Sequence, residues 1–287
     1  MKITRTVWQL IPALGLLIWF LGTAAAEPPS AAQIVYQASS PFYDTIYVVD
    51  DNDLRSLRFG SVTGDDQSVI RLGQPLQLPM PYLRTAAVGL TVPKSTQRVL
   101  IIGLGGGGFA SFVRARMPEV QIDAVEIDPV VAQIAREYFS VLEGNHLRVH
   151  VMDAVYFVQQ DNEPYDYILL DAYDADEIPE ALVTASFLSE VRANLASGGV
   201  VVANVAIASE TGTEALIRKL AGHFGHCLQL RSPPHLNDVL LLAAQPLPTS
   251  AELRDSARRF DEDSESPLDL ESYAATASRC PGGAHRQ

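Results

Sequence analysis

The stretch from Arg98 to Asp128 constrains the fold more than any other part of the chain, because it holds a complete strand, turn, helix and strand within about 30 residues. Val99-Leu100-Ile101-Ile102 is an apolar, β-branched run that stops at Gly103-Leu104-Gly105-Gly106-Gly107-Gly108, so a buried strand should run into a loop nearly bare of side chains. Phe109 to Met117 has helical spacing, Pro118 punctuates, and Ile122 to Ile127 forms the next strand. Glycines let a backbone approach a ligand closely, and the free N–H groups at a helix start favour a polar or anionic group. Glu126 stands 23 positions after Gly103, at the carboxyl end of the second strand, where an acid can accept both hydroxyl hydrogens of a ribose. The unit predicts a nucleoside pocket built on Gly103, Gly105, Gly106 and Glu126. Gly103, Gly105 and Gly108 also satisfy G-x-G-x-x-G, which admits a nicotinamide dinucleotide as well as S-adenosylmethionine.

The choice of ligand comes from the rest of the chain. After Asp128, Pro129 suits a first helical turn, and Val130, Val131, Ile134, Ala135, Tyr138 and Phe139 form an amphipathic face. Strands are expected at Leu147 to Met152, Tyr165 to Leu170, Val200 to Val205, Cys227 to Leu230 and Val239 to Ala244. Helices are expected over Glu180 to Leu195 and Thr213 to Phe224, with a turn at Ser197-Gly198-Gly199. Such alternation predicts an α/β fold: a doubly wound, seven-stranded, mostly parallel sheet covered on both faces. Arg231 to Asp238 is too short for a helical crossover, so the last two strands should be antiparallel, a finish that looks like the S-adenosylmethionine-dependent methyltransferase fold.

Upstream, Thr45 to Val49 and Leu54 to Phe59 flank the turn cluster Asp50-Asp51-Asn52-Asp53 and read as a hairpin, with a third strand at Ser68 to Leu72 and a helix over Tyr82 to Val92. Residues 1 to 26 have a basic start, an apolar run and Ala24-Ala25-Ala26, the layout of a signal peptide for export to the periplasm or beyond; the competing reading is an uncleaved membrane anchor. The expected organisation is a leader over 1–26, a small β-rich unit over 27–92, the nucleoside-binding domain over 93–248, and a helix with an acidic, partly disordered tail over 249–287. No second run of spanning length follows the leader. The formal charge of −13 argues against nucleic acid, whose phosphates need a basic face, and is compatible with a small cationic amine. Two cysteines, Cys227 and Cys280, can pair only in an oxidising compartment, which leaves the pairing open. The six histidines form no metal motif, so no metal is expected.

Carboxylates follow consecutive strands at Glu126, Asp128, Asp153 and the Asp171-Ala172-Tyr173-Asp174 pair, and in an open α/β sheet they should converge on one crevice. At these residues the chain resembles the spermidine synthase family of polyamine aminopropyltransferases. The matching pieces are Val99 to Gly108, Val125 to Val131, Asp153-Ala154, Tyr165-Asp166 leading to Asp171-x-x-Asp174, and Gly198-Gly199-Val200, with Tyr43 to Ile46 and Gln67-Ser68 upstream. The resemblance implies that Glu126 holds the ribose, Asp153 and Ala154 the adenine, and Gln67 the thioether end of decarboxylated S-adenosylmethionine, which is a co-substrate. It implies that Asp171 and Asp174 hold an attacking di- or polyamine and take its proton, with Tyr82 and Tyr173 walling the amine channel. A homodimer is left open. The chain departs from the family at Gly106, where its glycine loop carries an Asp, and at Asp44, Leu83 and Arg84. These departures keep two alternatives: a methyltransferase using intact S-adenosylmethionine, and a non-catalytic exported binding protein.

Overall fold

In the computed structural model, the described residues are 32–173, 178–207, 210–234 and 237–281. They build two sheets. The smaller is antiparallel, in the order β1 (Gln33–Ala38), β2 (Ile46–Asp51), β3 (Leu54–Phe59) and β4 (Asp66–Arg71). Alternation along these strands drives Ile46, Val48 and Leu57 to one face, where they meet Val131, Ile134 and Phe139 of the helix α3 (Pro129–Tyr138) and its end. The small sheet is thereby fastened to the helix that follows Glu126.

The larger sheet grows from β5 (Arg98–Ile102). To one side lie β6 (Gln121–Glu126) and β7 (Leu147–Val151), and to the other β8 (Tyr165–Leu170) and β9 (Leu195–Ala206), all parallel. Beyond β9 come β11 (Asn237–Ala243), β10 (His226–Ser232) and β12 (Ser278–Arg279), each antiparallel to its neighbour. The seven expected strands are present, and the two-residue β12 adds an eighth at the edge.

Alternate residues of the central strands supply two separate cores. Val99, Ile101, Tyr167, Leu169, Val200, Val202, Val239 and Leu241 face α1 (Pro81–Val88), α2 (Gly108–Arg116), α7 (Ser250–Glu262) and α8 (Leu270–Ala274). Leu100, Ile102, Ile168, Leu170, Val201, Ala203, Leu240 and Leu242 face α4 (Ala154–Phe157), α5 (Ala185–Ala193) and α6 (Glu210–Phe224). This two-sided burial explains why the central strands read as continuous apolar runs.

Local details differ from the sequence reading. The helix expected to reach Val92 stops at Val88 and tightens into a 3-10 turn over Gly89–Thr91, where a side chain at Gly89 would meet Val202 and Tyr167. Glu180–Val183 is likewise 3-10, and α5 begins only after Thr184, whose hydroxyl accepts the Phe187 N–H as its cap. Ser197-Gly198-Gly199 is not a turn between elements but a bulge inside β9. The pairing jumps from Tyr165 with Leu195 to Tyr167 with Val200, and Gly198 takes φ +82° to allow it.

Within the stretch 249–287 the chain forms α7, α8 and β12; residues 282–287 lie outside the described residues. Asp261, in the acidic tail, is buried and accepts the N–H groups of Leu268 and Leu270, turning the chain back into α8. Cys280 then bonds Cys227 across 53 residues. Closing a loop of that length removes freedom from the unfolded chain, so Cys280→Ser is expected to lower stability by about 3 kcal/mol, read as the shift in the urea midpoint without reductant. Dithiothreitol should reproduce the loss in the parent protein and change nothing in the variant.

Candidate active site

Strand ends define the site. A cleft of about 820 Å³ opens beyond the carboxyl ends of β5, β6 and β8, where the connections leave the sheet in opposite directions. Its wall and floor include Gly103, Leu104, Gly105, Glu126, Asp153, Ala154, Asp171 and Tyr173, with Gln67 and Tyr82 contributed from the small sheet and α1. The predicted convergence of Glu126, Asp153 and Asp171 is therefore present. Asp128 does not join them; its Oδ1 accepts the N–H groups of Val130 and Val131 as the cap of α3. Asp174 lies outside the described residues.

The glycine loop is built by close approach. Gly103 has φ +95°, and a Cβ there would stand 2.2 Å from the carbonyl oxygen of Asp171. Its hydrogen is what allows the end of β8 to cross the loop. Gly105 lines the cleft, and a Cβ there would make only ordinary contact with Ser68, at 3.7 Å. Gly106 does not line the cleft: a side chain there would run into Phe139 and Ser68, so its place is behind the wall.

The Leu104 and Gly105 N–H groups donate to Glu126 Oε2 at 3.1 and 3.3 Å, and the Asp128 N–H donates to Oε1 at 2.9 Å. Glu126 is buried, and burial pushes its carboxyl above the ordinary range against the pull of these three donors. The acid expected to serve a ribose thus also holds the loop in shape. Glu126→Gln would turn an amide N–H toward at least one of those donors, and a loss of about 2 kcal/mol is expected in denaturant unfolding.

Asp153 caps α4 by accepting the Val155 N–H at 2.8 Å, while its carboxylate still borders the cleft beside Ala154. On the other side, Asp171 receives two hydrogen bonds: the Tyr82 hydroxyl donates to Oδ2 at 3.1 Å and the Asn204 side-chain amide to Oδ1 at 2.8 Å. Enclosure at the cleft floor pushes the Asp171 carboxyl up to about 7, with those two donors opposing. Tyr173 lines the cleft, but its hydroxyl is committed to the backbone, donating to Asn204 O and accepting from Ala206 N. Sequence patterns missed Asn204. The one available signal is a lone polar residue inside the apolar run Val200 to Val205.

Among the described residues no group of three or more His, Cys, Asp and Glu could hold a metal, and no helix is long and apolar enough to cross a membrane. The lining of the cleft is as telling as its acids. It includes Glu126, Asp153, Asp171, Asp65 and Asp66, and among the described lining residues no Lys, Arg or His.

A methyltransferase-like sheet with a glycine turn, a strand-end acid behind it and a hydrogen-bonded carboxylate opposite has the architecture of a nucleoside-using transferase. Comparison with known proteins narrows this. Residues 84–221 match the spermine/spermidine synthase domain. The polyamine aminopropyltransferase of Vibrio vulnificus is 34% identical over 251 residues, covering 84% of this chain and 83% of that one. Two solved structures share the fold: a probable spermidine synthase from Corynebacterium glutamicum and human methyltransferase-like protein 13 in complex with SAH. The first has a TM-score of 0.69 and 22% identity over 89% of this chain and 99% of that one. The second has a TM-score of 0.59 and 24% identity over 66% and 96%. The chain belongs to the spermine/spermidine synthase family of polyamine aminopropyltransferases.

Proposed function

We propose that this chain moves an aminopropyl group from decarboxylated S-adenosylmethionine to a di- or polyamine. The observation that carries the choice of donor and acceptor is the lining of the cleft, which offers carboxylates and no described cation. A donor retaining its carboxylate would lose water there without gaining a partner, whereas a sulfonium with an amine tail suits it. Glu126 takes the ribose hydroxyls, Asp153 and Ala154 border the adenine, and Gln67 faces the thioether end.

An aliphatic ammonium has a pKa near 10.4, so its nitrogen has no free lone pair at neutral pH. Asp171 accepts one proton from it. The freed nitrogen attacks the aminopropyl carbon bound to sulfur, the new C–N bond forms as the C–S bond breaks, and that electron pair returns to sulfur as a neutral thioether. Methylthioadenosine leaves without needing an acid.

Because Asp171 sits near 7 in the ligand-free protein, it holds its proton below that pH and cannot accept another. The acid limb of kcat/KM should accordingly bend near pH 7 and fall about tenfold per unit below it. A limb bending near 4 would mean that the acceptor ionises as an ordinary carboxylate and that burial does not hold Asp171 near 7. The donor assignment is tested by calorimetry with the carboxylated and decarboxylated donors side by side, together with product analysis. Affinity at least about tenfold higher for the decarboxylated form, with release of methylthioadenosine, is expected. Tighter binding of the carboxylated form with release of S-adenosylhomocysteine would make the chain a methyltransferase.

The leader-like segment over 1–26 and the Cys227–Cys280 bond support an exported protein. Fractionation of cells should find the chain outside the cytoplasm with that bond oxidised.

A further inference from the structure

Asp171 is held in part by residues with no role in the reaction so far. We propose that Asn204, itself oriented by Asn237, is the positioning residue that locks the Asp171 carboxylate in the conformation that meets the acceptor amine. This rests on the reading of Asp171 as proton acceptor.

Strand register brings the three together. In the parallel pairing of β8 with β9, Leu170 stands opposite Ala203, so Asp171 and Asn204 are the next positions along neighbouring strands. Asn204 follows Val200 and Val202 on the face toward α1. The antiparallel β11 then sets Asn237 opposite Ala206, which makes it the diagonal neighbour of Asn204 on that face.

Hydrogen-bond polarity gives the arrangement its direction. Asn237 Nδ2 donates to Asn204 Oδ1 at 2.9 Å, so Asn204 must present its NH₂, not its oxygen, to Asp171 Oδ1 at 2.8 Å. A flipped amide would set oxygen against oxygen at Asp171 and N–H against N–H at Asn237. Asn204 is only 3% exposed, and a buried amide in an apolar strand costs stability unless its bonds are made. The Tyr173 hydroxyl, bonded to Asn204 O and Ala206 N, ties down the same strand end.

A donor at Oδ1 favours the ionised carboxylate. Among the described residues, the titratable groups acting on Asp171 from neighbouring elements are the phenols of Tyr82, Tyr167 and Tyr173, all pushed upward by burial and neutral throughout the working range. The other carboxyls lining the cleft are Glu126, Asp153, Asp65 and Asp66. With those constant, loss of the Asn204 bond should raise the pH at which Asp171 ionises.

The test uses the full chain with Asn204→Ala and Asn237→Ala. The Asp171 carboxyl carbon is followed by ¹³C NMR titration without ligand, and the pH profile of methylthioadenosine release is measured with the decarboxylated donor and a diamine. Both midpoints are expected to rise by about one pH unit in Asn204→Ala and by less in Asn237→Ala, with donor affinity changed less than about twofold. An NMR midpoint unmoved in both variants would reduce Asn204 to packing and overturn the proposal. Should Asn204→Ala fail to fold, Asn237→Ala, at the partly exposed start of β11, decides it alone. A parent protein that releases no methylthioadenosine while the NMR midpoint still moves would refute the proposed activity and leave the positioning intact.

Discussion

Asp171→Asn is expected to lower turnover by about 10³-fold, within the range found when a general base is removed. The substitution keeps the shape of the side chain but loses the charge and the oxygen that, in the proposed mechanism, draw an ammonium to the cleft and take its proton. It also leaves Tyr82 and Asn204, which both donate to this residue, competing for a single acceptor. The proposed nucleoside contacts are Glu126, Asp153 and the glycine loop, so affinity for methylthioadenosine should stay within about threefold of the parent. Tyr82→Phe removes one of the two donors and should cost only about tenfold. Steady-state release of methylthioadenosine and calorimetry on the same preparations separate these effects. Turnover within tenfold of the parent in Asp171→Asn would assign proton transfer to another group.

Among the described glycines, Gly103→Ala should be one of the most damaging additions of a methyl group. Its Cβ would lie 2.2 Å from the oxygen and 2.7 Å from the carbon of the Asp171 carbonyl, at a φ of +95° that L side chains rarely adopt. Neither partner can yield cheaply. The Gly103 N–H is bonded to Val125 O and the Asp171 N–H to Ile102 O, so both segments are pinned by the sheet. A loss above about 4 kcal/mol is expected, seen as little soluble protein or a collapsed denaturant midpoint. Gly60→Ala and Gly73→Ala are the controls: both have positive φ but nothing within 4 Å, and should cost about 1 kcal/mol. Comparable losses at all three positions would assign the effect to φ alone and remove the crossing of loop and strand as the reason for glycine at Gly103.

The folding pattern was largely legible because the central strands are buried on both faces and bounded by glycine, proline and acids. Val99 to Ile102 and Tyr165 to Leu170 can be little else. What failed was local and depended on distant partners. Ser197-Gly198-Gly199 has turn composition, yet it is absorbed as a bulge because β8 continues to pair across it. Asp261 stands in an acidic stretch, yet it is buried because two N–H groups of the returning chain need an acceptor. Gly106 reads as part of the ligand loop, and only its neighbours Phe139 and Ser68 reveal that it faces inward.

The sequence alone determined which strands end in acids and that Glu126, Asp153 and Asp171 share a rim, since residues after successive parallel strands of one sheet emerge on the same side. Tertiary structure decided the rest. It paired Cys227 with Cys280, and it set Asn204 and Asn237 behind Asp171, through strand register between segments more than 30 positions apart. Composition marks a residue as polar. Which hydrogen-bond partner it meets is a property of the packed chain, because a buried amide or carboxylate takes its role from the single neighbour that desolvation leaves within reach.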